Sequence, residues 1–153
     1  MASDITFRQG IPADAFAFAE LDELCFPVGV SFSTSIFRYH LHDPRSVNIV
    51  AEDFVGIAGF SVGKAYRSGK AGIVTVDVHP DWRSRSIGYK LLSRLEEGLV
   101  ELGAKSFFLQ VAVDNEIAIA LYEKVDYRRV SLLPGYYPDP DFSRGTDAYL
   151  MEK

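Results

Sequence analysis

The sequence predicts a mixed α/β fold in which one mixed β-sheet carries helices on both faces. Two observations lead to this prediction. Short apolar runs typical of strands lie between residues 47 and 78 and are joined by tight turns, which is typical of antiparallel pairing. Strand and helix patterns then alternate through the second half of the chain. At 153 residues, 48% of them hydrophobic, the chain is predicted to form a single domain spanning residues 1–153, with a substantial core.

The first elements are a strand at residues 5–8, a helix at residues 13–26 and a second helix ending at residue 41. The strand shows the alternation of polar and apolar residues that a half-buried strand requires. Pro12 suits the first turn of the first helix. Ser33 or Ser35 can cap the second helix, which stops before Pro44.

Three strands are predicted next, at residues 47–51, 55–66 and 71–78. The first two are joined only by Glu52 and Asp53, and this short connection predicts an antiparallel hairpin. The turn at residues 67–69 ends in Gly69 and leads into the third strand, which closes at His79 and Pro80.

A long helix follows Ser86, because apolar residues recur at helical spacing on one stripe. The stripe consists of Ile87, Leu91, Leu92, Leu95, Leu99 and Leu102. The remaining elements are a strand at residues 106–113, a helix at 116–125, a strand at 127–133 and a last strand at 148–151. Residues 134–140, rich in proline and tyrosine, are predicted to form a rigid loop before that last strand.

Composition excludes several classes of function. A net charge of −5 argues against nucleic-acid binding, and it suits a cationic partner such as an amine or an ordinary cytosolic protein. One cysteine, Cys25, excludes an internal disulfide, and no metal site is expected because His40 and His42 have no carboxylate at a suitable spacing. No signal peptide or apolar membrane span is present, so a soluble cytoplasmic monomer or homodimer is expected.

The turn at residues 83–88 is the strongest indication of function. A strand, a short basic turn and a long helix together present unpaired backbone N–H groups at the positive end of the helix dipole, which suits a phosphate. Gly88 allows close approach of a ligand to the backbone. Arg83 and Arg85 add positive charge.

A second pattern lies at residues 114–124. Asn115, Ala118 and Tyr122 are offset by three and then four residues, so they lie on one face of a helix. Asn115 can cap that helix.

Together these segments resemble the GCN5-related N-acetyltransferase (GNAT) family. Residues 76–92 are similar to its acetyl-CoA-binding motif, with Ser86 in place of the first glycine. Residues 114–124 are similar to its Asn-x-x-Ala-x-x-Leu-Tyr-Glu-Lys segment, with Asp126 in place of a following glycine. The resemblance implies the family's mostly antiparallel seven-stranded sheet, splayed between the fourth and fifth strands, with about four helices on its two faces.

The resemblance also implies acetyl-CoA as cosubstrate, bound in the gap between those two strands. The residues expected to bind it are Val76, Asp77, Val78, Arg83, Ser84, Arg85, Ser86, Ile87, Gly88, Tyr89, Asn115, Ala118 and Tyr122. Tyr122 is expected to protonate the leaving thiolate as general acid.

Other segments resemble the RimI-like subgroup, which acetylates protein N-termini. Phe26, Tyr136 and Tyr137 are then expected to hold the peptide acceptor. Gln110 stands where that subgroup has a glutamate proposed as general base, and glutamine can orient an amine or a water but cannot take a proton. Asp77 and His79 are the candidate bases, and a third possibility is that the small deprotonated fraction of an α-amine reacts without a base.

The expected function is therefore acetyl transfer from acetyl-CoA to a primary amine by direct attack, with the N-terminal α-amine of a peptide or protein as the acceptor. Two alternatives remain at this point. One is a small-molecule amine acetyltransferase, in which residues 136–142 form a lid, and the other is a non-catalytic acyl-CoA-binding module.

Overall fold

A computed structural model describes residues 4–26, 30–137 and 146–153. The strands are β1 (Thr6–Gln9), β2 (Ser46–Glu52), β3 (Ile57–Ala65), β4 (Lys70–Val78), β5 (Ser106–Ala112), β6 (Arg128–Tyr137) and β7 (Thr146–Glu152). The helices are α1 (Ala15–Cys25), α2 (Thr34–His42), α3 (Ile87–Glu101) and α4 (Glu116–Lys124). Short 3-10 turns at Pro12–Asp14 and Pro80–Trp82 precede α1 and α3. The predicted α/β fold with a seven-stranded sheet and four helices is confirmed.

The strands form one sheet in the order β1-β2-β3-β4-β5-β7-β6. Every neighbouring pair is antiparallel except β4 and β5, which run parallel. Their pairing covers only Lys70–Gly72 of β4 against Ser106–Phe108 of β5. Beyond these three pairs the two strands diverge, so the predicted splay between the fourth and fifth strands is confirmed.

Each face of the sheet is covered by its own hydrophobic core. On one face the leucine stripe of α3 is buried with residues of α4, as its spacing predicted. On the other face α1 and α2 pack against β2 and β3. Phe18 of α1 stacks on Phe60 of β3 with 4.0 Å between ring centroids, and Phe37 of α2 meets Phe60 edge-on. Each such buried aromatic ring contributes on the order of 1.5–3 kcal/mol through the burial of apolar area.

Polar side chains begin the helices where the sequence predicted them. The Ser33 hydroxyl accepts a hydrogen bond from the Ile36 N–H, which selects Ser33 over Ser35 as the cap of α2. The Asn115 side chain accepts one from the Ala118 N–H at the start of α4. None of the helices in the described part of the chain is both long and apolar enough to cross a membrane.

The prediction of a loop from residue 134 onward is wrong for its first part, because β6 continues to Tyr137. The irregular pairing between Leu133 and Tyr137 lets a proline enter the strand. β6 is also an edge strand with a neighbour on one side only, a place in which a sheet tolerates proline. Gly135, at φ 62°, donates its N–H to the Asp147 side chain at 2.8 Å. The rest of the predicted loop, residues 138–140, and the lid to residue 142 lie outside the described residues.

Candidate active site

The divergence of β4 and β5 opens a cleft of about 520 Å³, a size suited to a small-molecule ligand. It brings together most residues that the sequence singled out, from five separate places in the chain. These are Phe26, Val76, Asp77, Val78, Arg83, Ser84, Ser86, Ile87, Gly88, Tyr89, Gln110, Asn115, Ala118, Tyr122 and Tyr137. Arg85, His79 and Tyr136 are not among the lining residues of this cleft.

The turn before α3 has an unusual backbone. Ser84 and Ser86 adopt left-handed conformations at φ 64° and 61°. Such conformations favour glycine, and their alternation with ordinary residues turns successive N–H groups toward one concave side, a shape that binds anions. The Arg83 side chain donates to the Val78 carbonyl at 3.2 Å and ties the turn back to β4. Ser86 thus takes a left-handed conformation of the kind that glycine adopts most readily.

Asp126, the other residue in a glycine position, behaves in the same way. Its φ is 77°, so the turn after α4 keeps a left-handed residue although that residue is not glycine. The turn places Tyr127 in the core, where its hydroxyl donates to Glu96 at 2.6 Å.

Gly88 lies in the first turn of α3 beside the cleft. A Cβ built there would lie 3.4 Å from Leu121 Cδ2 and 3.5 Å from Val78 Cγ2, which are ordinary contact distances. The surrounding protein therefore tolerates a side chain at this position. Gly88 also lines the cleft, where a residue without a side chain leaves the backbone open to close approach.

Tyr122 on α4 reaches the cleft from the opposite side. Only 6% of the residue is exposed, and its ring packs against Tyr127 at 5.7 Å between centroids. Burial, and then the nearby Asp77 and Tyr137, raise the pKa of the Tyr122 hydroxyl above its ordinary value. The hydroxyl therefore carries its proton at neutral pH and is a potential proton donor.

The two tyrosines predicted to bind an acceptor point in different directions, because consecutive residues of a strand face opposite sides. Tyr137 lines the cleft, and its hydroxyl donates to the Gln110 carbonyl at 3.4 Å. Burial raises the pKa of Tyr137 to about 12. Tyr136 is 46% exposed and contacts the Tyr137 ring edge-on at 4.9 Å.

The two candidate bases occupy contrasting places. Asp77 is buried at the cleft, where its Oδ1 accepts the Thr75 hydroxyl at 2.5 Å. Burial, and then Asp22 of α1, raise the pKa of Asp77 well above its usual range. The His79 ring instead accepts the Asp81 N–H at 3.1 Å within the turn that follows β4.

Two further side chains near the turn have structural partners. The Arg85 guanidinium lies 4.9 Å from the centre of the Trp82 ring, a cation–π contact. The Cys25 thiol donates to the Val78 carbonyl at 3.5 Å, and burial raises its pKa to about 11. A thiol with such a pKa is a poor nucleophile at neutral pH.

Sequence reasoning missed Asp22 and Thr75, the two residues that surround the Asp77 carboxyl. Asp22 left a signal in the sequence. It follows Phe18 by four residues and Ala15 by seven, so it occupies a position on the apolar stripe of α1. A carboxyl at such a position is unusual and requires a buried partner.

Comparison with known proteins finds a matching family and many curated relatives. The sequence profile of the acetyltransferase (GNAT) family matches residues 15–127. An uncharacterized protein of Mycobacterium leprae is 32% identical over 93% of this chain and 38% of its own length. An acetyltransferase of Pectobacterium atrosepticum is 37% identical over 60% of this chain and 64% of its own. An N-alpha-acetyltransferase of Saccharolobus solfataricus is 36% identical over 55% of this chain and 48% of its own length. The chain thus matches less than two thirds of the length of each of these three relatives.

Solved structures share the fold. The ribosomal-protein-S18-alanine N-acetyltransferase of Escherichia coli superposes with a TM-score of 0.83 at 23% identity, over 97% of this chain and 92% of its own. Arabidopsis thaliana NAA60 in complex with acetyl-CoA superposes with a TM-score of 0.83 at 22% identity, over 98% of each chain.

Proposed function

The chain belongs to the acetyltransferase (GNAT) family, whose cosubstrate is acetyl-CoA, and from this premise we propose that it acetylates the N-terminal α-amine of a peptide or protein. The single observation that carries the proposal is the cleft between β4 and β5. In this cleft the N-terminus of α3, which suits a phosphate, lies together with the protonated Tyr122 and with aromatic side chains that can contact an acceptor.

The cleft has the donor groups that acetyl-CoA requires. The left-handed turn and the first turn of α3 present N–H groups to a pyrophosphate, with Ser84, Ser86 and Gly88 lining the cleft. Beyond Gly72, β4 has no partner in the parallel ladder, so its backbone groups facing β5 can bind the pantetheine amides as a strand would. When bound, acetyl-CoA supplies an activated acetyl group.

Tyr122 acts as the general acid in this proposal. Its hydroxyl holds a proton at neutral pH because burial disfavours the phenolate. Asn115 and Ala118 lie on the same side of α4 and line the same cleft, so the helix that Asn115 caps positions the hydroxyl. Donation of the proton to the leaving sulfur avoids the release of a bare thiolate.

A peptide α-amine is the favoured acceptor. Phe26 and Tyr137 line the cleft and can provide an apolar contact and a hydroxyl contact to an acceptor. Gln110 also lines the cleft and can orient an amine through its side-chain amide oxygen. The relatives named for N-terminal substrates support this choice, and the net charge of −5 suits an ammonium-bearing partner.

Thiol release from acetyl-CoA should be measured with short peptides of varied first residue, with the same peptides blocked at the N-terminus, and with polyamines and amino acids. We expect turnover only with free α-amines of peptides. Turnover confined to small amines would identify a small-molecule acetyltransferase. Binding of acetyl-CoA without turnover on any acceptor would contradict the proposal and favour a binding module.

Replacement of Tyr122 by Phe tests the general acid. We expect kcat to fall by about 10²–10⁴-fold, which is typical when a positioned acid is lost. The Kd for acetyl-CoA should stay close to wild type. Tyr136→Phe is the matched control, because Tyr136 is not among the residues that line the cleft. Equal rates for Tyr122→Phe and wild type would remove this hydroxyl from the mechanism.

A further inference from the structure

Two aspartates from different elements meet in the interior beside the cleft. Asp22 of α1 is 0% exposed and Asp77 of β4 is 1% exposed. Their carboxyl groups lie within hydrogen-bonding reach of each other. Two buried carboxylates side by side repel each other and lack solvation, so such a pair binds one shared proton more tightly than either carboxyl would bind a proton alone.

The hydrogen bonds around the pair indicate where that proton lies. The Phe32 N–H donates to Asp22 Oδ2 at 2.6 Å, and the Thr75 hydroxyl donates to Asp77 Oδ1 at 2.5 Å. The remaining oxygens, Asp22 Oδ1 and Asp77 Oδ2, are buried without a donor in the described part of the chain. One proton between these two oxygens satisfies both, and an unsatisfied buried oxygen would otherwise cost stability.

Charged and titratable groups surround the pair on several sides. Glu23 and Cys25 lie on α1 with Asp22, and the negative charge of Glu23 disfavours ionisation of Asp22. Arg83, from the turn after β4, favours ionisation of Asp77. Tyr122 approaches from α4, with Tyr137 of β6 behind it. The pair therefore sits between one cation and two neutral phenols, with Asp77 at the cleft.

We propose that Asp22 and Asp77 form a single proton-accepting unit for the acceptor amine, with Asp77 as the catalytic base and Asp22 as a positioning residue. This inference rests on the proposed function. With both carboxyls ionised, Asp77 Oδ2 takes a proton from the substrate ammonium, directly or through one water. The N–H bond breaks and an O–H bond forms. The electron pair stays on nitrogen for attack, and the proton is then shared with Asp22 Oδ1 until it returns to solvent.

The pair supplies what Gln110 cannot. A lone carboxylate near Arg83 would bind a proton too weakly to deprotonate an ammonium at neutral pH. A second carboxylate raises the affinity of the first for a proton, and a base is most effective when it titrates near the working pH. Asp22 thus sets the proton affinity of Asp77 and does not itself meet the substrate.

The pH dependence of kcat/KM for peptide acetylation tests the proposal. Asp22→Asn keeps the shape and the acceptor for the Phe32 N–H but removes the like charge. We expect the acid limb of the profile to move to lower pH by about 1–3 pH units. Asp77→Asn should lower kcat by about 10²-fold or more and lose that limb. Glu20→Gln is the control, because this exposed carboxyl on the same helix changes charge by the same amount but is not among the groups that act on the pair, so the acid limb should stay close to its wild-type pH.

An acid limb that stays at the wild-type pH in Asp22→Asn would overturn the proposal. Infrared spectroscopy gives a readout independent of activity and of substrate. A protonated-carboxyl band should be present near neutral pH in the wild type, titrate away as the pH rises and be missing in Asp77→Asn. Absence of the band in the wild type would also overturn the pair. An inactive wild type that shows the band would instead refute the proposed function, and the base assignment with it, while the shared proton would stand.

Discussion

Replacement of Gly88 by alanine should separate the stability of the fold from its affinity for acetyl-CoA. The added methyl group meets Leu121 and Val78 only at 3.4 and 3.5 Å, so the protein does not have to move. Alanine is favoured over glycine in a helix by about 0.5–1 kcal/mol, chiefly because glycine loses more backbone freedom on folding. For a chain of this size, we expect the melting temperature to rise by about 2–4 °C per kcal/mol gained.

The same methyl group should weaken ligand binding. It occupies the side of the first turn of α3 that faces the cleft, where backbone N–H groups are free to meet a pyrophosphate. Loss of one hydrogen bond to a charged oxygen costs about 1.5–3 kcal/mol, which corresponds to a rise in Kd of about 10–150-fold. Calorimetric titration with acetyl-CoA and thermal unfolding of the free protein measure the two effects separately.

Gly98 on the same helix provides the matched control. A Cβ there would lie 2.9 Å from Val47 Cγ1 and 3.4 Å from Cγ2, and the β-branched Val47 has little freedom to turn away. Gly98→Ala should therefore destabilise the fold by about 1–3 kcal/mol. Acetyl-CoA affinity should not change, because ten residues of helix separate the two sites by about 15 Å. A Gly88→Ala protein that is destabilised, or that binds acetyl-CoA as tightly as wild type, would refute the reasoning.

Three further predictions concern stability. Asp126→Gly should raise the urea midpoint of unfolding, because glycine adopts the left-handed conformation of Asp126 without strain. Glycine also loses more backbone entropy on folding, so the net gain in unfolding free energy should be only about 0.5–1 kcal/mol. A lower midpoint would contradict this. Phe60→Ala should cost about 3–5 kcal/mol of unfolding free energy, whereas Phe54→Ala, at a residue that is 90% exposed, should change it by less than about 0.5 kcal/mol. Burial, and then Lys64, lower the pKa of His40 in the folded protein. The contribution of neutral His40 to the free energy of unfolding is therefore fully present above the pKa of the unfolded chain, about 6.5, and is lost as the pH falls from there through the lowered pKa. Chemical unfolding between about pH 7 and 5 should show this loss in the wild type and a flatter dependence in His40→Gln.

The sequence predicted those parts of the fold in which local chemistry decides the outcome. The leucine stripe predicted the buried face of α3, and Asn115 predicted the start of α4, because period and capping act within a few residues. For α2 the sequence offered Ser33 or Ser35 as the cap, and the structure selects Ser33. The splay between β4 and β5 has no local signal and was predicted only through the family resemblance.

Predictions from the sequence were wrong or incomplete where contacts between distant segments determine the structure. Pro134 indicates a loop on local grounds, yet an edge strand accepts it. Tyr136 and Tyr137 look equivalent in the sequence, but the pleat of β6 sends only Tyr137 into the cleft. Asp22 could be recognised as unusual from its helical position, whereas its partner Asp77 is more than fifty residues away and is reached only through packing of α1 on β4.

Only three residue pairs join β4 to β5, so the sheet consists of two groups of strands, β1–β4 and β5–β7, connected by a short parallel pairing. A ligand that forms hydrogen bonds with the backbone of β4 beyond Gly72 would occupy the place of a paired strand there. Its binding energy would then oppose unfolding, by about 2.7 kcal/mol at a free concentration one hundred times its Kd. Under that linkage the free energy of unfolding of this protein would rise with the concentration of free acetyl-CoA.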